Sequence, residues 1–170
     1  MTQRVFGITG WKNSGKTTLT EKLVAELSRR GWTVSTIKHA HHDFDIDKLG
    51  ADSFRHRQAG ASEVAVVSGR RWALMHELRG EDEPPLEAIL SRLAPCDLVL
   101  VEGYKREAHR KIEARRRDAR DTAPLSAGDP HIVAIATDFP LLGEVLPTFD
   151  LDDIPAIADF IEAETGLARE

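Results

Sequence analysis

Gly10-Trp11-Lys12-Asn13-Ser14-Gly15-Lys16-Thr17-Thr18, coming straight after the apolar run Val5-Phe6-Gly7-Ile8, sets the architecture of this chain. The segment satisfies G-x-x-x-x-G-K-[ST] in full, between a predicted strand and a predicted helix. The strand spans about Arg4–Thr9. The helix opens at Lys16 and carries Leu19, Leu23 and Leu27 on one face, with Gly31 as its stop. Glycines at both ends of the loop let backbone N–H groups turn inward around a phosphate, and the helix N-terminus adds partial positive charge. Lys16 supplies a full charge toward the outer phosphates, and the Thr17 hydroxyl suits a Mg²⁺ shell. Residues Gly10 through Thr18 are therefore the expected nucleotide-binding set, with Lys16 and Thr17 as its chemically active members.

Further along, Thr33–Ile37 alternates as a second strand, and Asp52–Ala59 reads as a short helix. Glu63–Ser68 and Arg71–Glu77 read as two strands joined through Gly69-Arg70. Pro84-Pro85 opens a helix at Leu86–Leu93. Asp97–Val101 and His131–Ala136 are continuous apolar runs suited to parallel strands buried on both faces. A short strand near Val145–Phe149 precedes a helix over Ile154–Glu164, N-capped by Asp152 or Asp153 and followed by Gly166. The expected fold class is α/β: a P-loop NTPase-like three-layer sandwich, with a mostly parallel sheet, helices on both faces and ligands at the strands' carboxyl ends. Residues 1–170 read as a single nucleotide-binding domain.

Composition fits that reading. With 170 residues, 41% hydrophobic and 30% charged, the chain can bury a substantial core. Its 23 basic and 28 acidic residues give a net charge of −5, which argues against a general nucleic-acid binder. Charge is unevenly placed. Tyr104–Arg120 holds eight Lys or Arg against three acids, and reads either as a solvated basic ribbon or as a rim that attracts a phosphorylated molecule. Cys96 is the only cysteine, so no internal disulfide forms. Met1-Thr2-Gln3-Arg4 resembles neither a signal peptide nor an anchor, and no apolar run reaches membrane-spanning length. A cytoplasmic location is expected.

Three more segments bear on chemistry. Leu98–Val101 ends in Glu102, a carboxylate at a strand end that suits Mg²⁺ beside Thr17; many buried strands also end in an acid without that role. Lys38–Asp47 gathers His39, His41, His42, Asp43, Asp45 and Asp47. It reads as a transition-metal site, as a nucleotide-responsive loop with Asp45 at Mg²⁺, or as a solvated loop. Asp138 ends the strand begun at His131, where a carboxylate can accept from both N1–H and N2–H of guanine; turn chemistry before Pro140 is the other reading.

Together these segments resemble the molybdopterin-guanine dinucleotide biosynthesis protein B (MobB) family. The resemblance rests on Gly10–Thr18, Ile37–Lys48, Asp52–Gly60, Arg71–Met75, Asp97–Lys105 followed by Lys111-Ile112, and His131–Asp138. It implies a homodimer that binds GTP and Mg²⁺, hydrolyses GTP slowly and assists the guanylyltransferase that joins GMP to molybdopterin, with molybdopterin or another anion as a second ligand. It carries Lys16 and Thr17 to phosphate and Mg²⁺, Glu102 to the Mg²⁺ region, and Asp138 to guanine. Leu49 stands where members often have Pro. Relatives of the fold that use a second lysine place it directly after the first loop glycine; here Trp11 holds that slot and Lys12 is displaced by one. Arg115-Arg116-Arg117 matches no family role. The competing functions are a GTP-dependent metal-insertion chaperone using the histidines, a small-molecule kinase with Asp45 or Asp47 as base and Arg106–Arg120 as a lid, and an adaptor that does not hydrolyse nucleotide.

Overall fold

The computed structural model describes residues 3–40 and 44–168. They group into two compact units, one formed by Met1–His39 with Leu90–Glu170 and the other by Ala40–Ile89.

The first unit holds a six-stranded, all-parallel sheet. Its strands are β1 (Val5–Thr9), β2 (Val34–Lys38), β5 (Leu98–Glu102), β6 (Lys111–Arg115), β7 (Ile132–Thr137) and β8 (Thr148–Asp150), in the order β2-β5-β1-β6-β7-β8. Helices α1 (Lys16–Arg29) and α4 (Ile154–Thr165) flank it, giving the expected P-loop NTPase-like α/β class. Parallel strands bury both faces, which is why β5 reads Leu-Val-Leu-Val. One face presents Phe6, Ile8, Leu98, Leu100, Ile112, Ala114, Ala134 and Ala136. Leu19, Leu23 and Leu27 of α1 and Ile157, Ala158 and Ile161 of α4 close over them. The two helices are also tied at their ends: Arg30 bonds Asp159 and Glu162, and Trp32 Nε1 donates to Glu162 at 2.7 Å. Asp153 caps α4 by accepting from Ala156 N–H, and Gly166 ends the helix in the left-handed region.

One reading of the basic segment fails here. Tyr104–Arg120 is not a solvated ribbon, since Lys111–Arg115 within it is a strand buried along its whole length between β1 and β7. Its period-2 pattern sends Ile112 and Ala114 to the helix-covered core and Lys111, Glu113 and Arg115 to the other face. There the charges satisfy one another and the adjoining connections. Lys111 Nζ reaches Asp129 at 2.9 Å and the Lys105 and Glu107 carbonyls. Glu113 accepts from Arg115 and from the Leu125 and Ser126 N–H groups. A strand built this way also rules out Lys111–Arg115 as part of a mobile arginine lid. The eight-residue link from β5 to β6 must pass over β1, and Gly7 lets it: a Cβ there would lie 2.4 Å from His109 Nε2.

The second unit contains α2 (Asp52–Gln58) and an antiparallel hairpin of β3 (Glu63–Val67) and β4 (Trp72–His76). The turn forms at the predicted place, with Ser68 N–H and Oγ both donating to the Arg71 carbonyl. Arg57 gathers Asp45, Asp47 and Glu77 at 2.8, 2.5 and 2.8 Å. The remaining helix, α3, covers Leu86–Leu90. No helix among the described residues is long and apolar enough to cross a membrane.

Candidate phosphate-binding site

The turn from β1 into α1 has the conformation a phosphate cradle requires. Gly10, Asn13 and Gly15 have φ of 148°, 65° and 88°. At Gly10 no side chain fits: a Cβ would lie 2.5 Å from the Ala114 carbonyl oxygen and 2.3 Å from Ser14 Oγ. Gly15 is the N-cap of α1 and no side chain caps the helix, which leaves its first N–H groups without a side-chain acceptor; such N–H groups suit an anion. Ser14 is buried, and its hydroxyl has no protein partner among the described residues.

Parallel register delivers the other groups. Lys38 stands opposite Glu102 on β5, and Ile8 on β1 also pairs with Glu102, so the carboxyl ends of three strands meet the loop. Thr17 Oγ1 donates to Glu102 Oε1 at 2.8 Å across 85 residues of sequence. Lys38 Nζ lies 3.4 Å from the same oxygen. A hydroxyl and a carboxylate held together beside a phosphate loop form a hard-oxygen donor set that fits Mg²⁺. Lys16 Nζ donates to the Trp11 carbonyl at 2.6 Å. Burial, then the nearby ammonium groups of Lys105 and Lys38, hold Lys16 below the ordinary lysine pKa, with Glu102 opposing them.

The segment after β6 lies along the loop, as the rim reading of Tyr104–Arg120 has it; the particular contacts were not foreseen. Trp11 Nε1 donates to the Ala123 carbonyl at 2.7 Å, and Arg120 N–H to the Lys12 carbonyl at 3.4 Å. The Arg116 stem runs past Gly15, where a Cβ would meet its Cδ at 2.9 Å. Arg116 Nε is 3.5 Å from Asp138 Oδ2, and Asp138 Oδ1 accepts from Arg117 N–H at 2.9 Å. Asp138 thus sits at the carboxyl end of β7, linked through Arg116 to the loop. No spacing rule would have paired these residues, because their proximity comes from strand order.

Of the predicted site residues, Gly10–Thr18 and Glu102 come together, and Asp138 joins them through Arg116. Asp45 lies in the other unit, its carboxylate on Arg57. His39 packs its ring against Tyr104 at 4.6 Å; His41, His42 and Asp43 lie outside the described residues. Among the described residues no group of three or more His, Cys, Asp or Glu side chains is placed to hold a metal ion. Asp97 has a structural part, accepting from Thr33 N–H at 2.7 Å.

The chain is similar to known proteins in sequence and in fold. A family model described as molybdopterin guanine dinucleotide synthesis protein B matches residues 5–138. The chain is 45% identical over 165 residues to a molybdopterin-guanine dinucleotide biosynthesis adapter protein of Haemophilus influenzae, covering 93% of this chain and 87% of that one. It is 41% identical over 159 residues to the Escherichia coli protein of the same name, covering 92% and 90%. The crystal structure of a MobB protein homolog from Bacillus stearothermophilus superposes with a TM-score of 0.73 at 32% identity, covering 98% of this chain and all of that one.

Proposed function

Because this chain belongs to the molybdopterin guanine dinucleotide synthesis protein B (MobB) family, we propose that it is a GTP-binding accessory protein of molybdenum cofactor biosynthesis, weakly hydrolytic and acting with a guanylyltransferase. The observation that carries the reading is the 2.8 Å bond between Thr17 and Glu102, formed at the mouth of an uncapped loop that also presents Lys16. In this reading the amides of Trp11–Thr18 hold the β-phosphate and Lys16 leaves the Trp11 carbonyl for the outer phosphates. Thr17 and Glu102 hold Mg²⁺, which neutralises phosphate charge when bound. Asp45, also expected at Mg²⁺, pairs with Arg57 within its own unit. Asp138 accepts from guanine once Arg116 and the Arg117 N–H yield it. The reading further takes the chain as a cytoplasmic homodimer, with molybdopterin or another anion as second ligand. The adapter names of its relatives support the accessory role, and the loop geometry supports the nucleotide.

A reconstituted guanylyl-transfer reaction tests this, with purified guanylyltransferase, a molybdopterin-loaded acceptor and Mg·GTP. Adding this protein raises dinucleotide yield, and the Lys16→Ala variant does not. Equal yields with and without the wild-type protein would remove the accessory role.

A further inference from the structure

Trp11 is the meeting point of two ammonium groups. Lys16 Nζ rests on its carbonyl at 2.6 Å, and Lys105 Nζ sits over its indole ring, 4.3 Å from the centroid. Trp11 itself is fixed by the Nε1 bond to Ala123. Among the described residues Lys105 has no carboxylate partner. Among the described residues its contact is the indole face, and an aromatic face holds an ammonium ion far more weakly than an anion does.

The backbone that delivers Lys105 is built for that placement. After β5 the chain turns through Gly103 at φ 95° and Tyr104 at φ 46°, and a left-handed Tyr is an uncommon, strained choice. The turn is pinned from both sides. The Tyr104 ring packs on His39, and a Cβ at Gly103 would meet His39 Cβ at 3.0 Å. Below it, fully buried Lys111 donates from Nζ to the Lys105 carbonyl at 3.1 Å and the Glu107 carbonyl at 2.7 Å, while paired to Asp129. A buried lysine thus fixes the main chain of a half-exposed one. Strain at Tyr104 and a buried charge beneath it hold an unpaired cation beside the phosphate loop.

Charge at the loop mouth shows what that cation awaits. Glu102 accepts from Thr17 and faces Lys38, while Lys16 and Lys105 both meet Trp11, one at its carbonyl and the other over its ring. Lys16 and the helix amides suffice for a diphosphate, leaving Lys105 unmatched. We infer that Lys105 leaves the Trp11 indole to bind the terminal phosphate of a nucleoside triphosphate, so that it is the residue distinguishing triphosphate from diphosphate. This rests on the phosphate-loop reading above and adds the group that reads the outermost phosphate.

The test titrates the full chain with Mg²⁺ and either GDP or the non-hydrolysable β,γ-imido analogue of GTP. Lys105→Met keeps the stem over Trp11 and removes the charge. Lys105→Arg restores a charge able to stack on the indole. Thermal melts confirm that both variants fold. The Met variant should bind the triphosphate analogue about tenfold more weakly, the lower range for losing a charged hydrogen bond. Its affinity for GDP should stay within about twofold of wild type, and the Arg variant should recover most of the loss. Equal losses for both nucleotides, or no loss for either, would overturn the inference while leaving the phosphate loop standing. If the wild-type protein binds neither nucleotide, the phosphate-loop reading falls and takes this inference with it.

Discussion

Glu113→Ala should be among the most destabilising single substitutions in this protein, and the structure sets its size. Glu113 is fully buried, and its carboxylate accepts three bonds: from Arg115 at 2.8 Å, from Leu125 N–H at 2.9 Å and from Ser126 N–H at 3.1 Å. Removing it leaves Arg115 short of its closest counterion and two amides unpaired. Breaking a buried ion pair from one side costs about 3–5 kcal/mol. Arg115 retains Glu144 at 3.2 Å and Ser126 Oγ at 2.8 Å, so the lower end, about 3 kcal/mol, applies. For a chain of this length that is a fall in melting temperature of about 6–12 °C. Urea unfolding at neutral pH measures the loss, and hydrogen exchange at Leu125 and Ser126 shows whether the connection after β6 loosens with it. Glu113→Ala combined with Arg115→Met should lose less than the two single losses summed, because neither charge is then left buried alone. A loss below about 1 kcal/mol for Glu113→Ala would refute the argument that this network holds β6 and its connection in place.

Two further predictions concern the site. Burial and then Lys105 depress the Lys16 pKa in the free protein below its usual 10.5, so free Lys16 binds its proton weakly, whereas a bound phosphate favours the ammonium form. Nucleotide binding should therefore take up a proton at alkaline pH. Affinity should fall as pH rises through the lowered value, before 10.5 is reached; calorimetry in buffers of different ionisation enthalpy reads this, and an affinity flat to pH 10.5 would contradict it. Asp138→Asn keeps an acceptor for Arg117 N–H but exchanges one carboxylate oxygen for an amide donor. GTP affinity should fall about tenfold or more while xanthosine triphosphate gains, and competition binding that found GTP unaffected would remove Asp138 from base recognition.

Much of this was legible in the residues themselves, because the deciding signals are local. The loop glycines, the leucine face of α1 and the apolar run of β5 each report a single element's backbone or burial. Boundaries shifted by one to three residues: β5 begins at Leu98 although Asp97 bonds Thr33 through both main chain and side chain, α3 stops at Leu90 and β8 begins at Thr148. Strand β6 escaped notice because three of its five residues are charged. Their countercharges, Asp129 and Glu144, lie far along the chain, apart from the internal Glu113–Arg115 pair. Lys38 was expected on the loop's edge of the sheet because it follows the second strand, but the positions of Lys105 and Arg116 were hidden for a related reason. They depend on parallel register and on which strands flank β1, and neither is written in local spacing.

Isothermal titration of the purified protein with Mg·GTP, set beside Lys16→Ala, addresses the nucleotide-binding claim most directly. The wild-type chain should give a saturable heat at one site per chain, and the variant should lose it while keeping its fold. No heat with GTP up to millimolar concentration, or the same isotherm from the variant, would contradict the account.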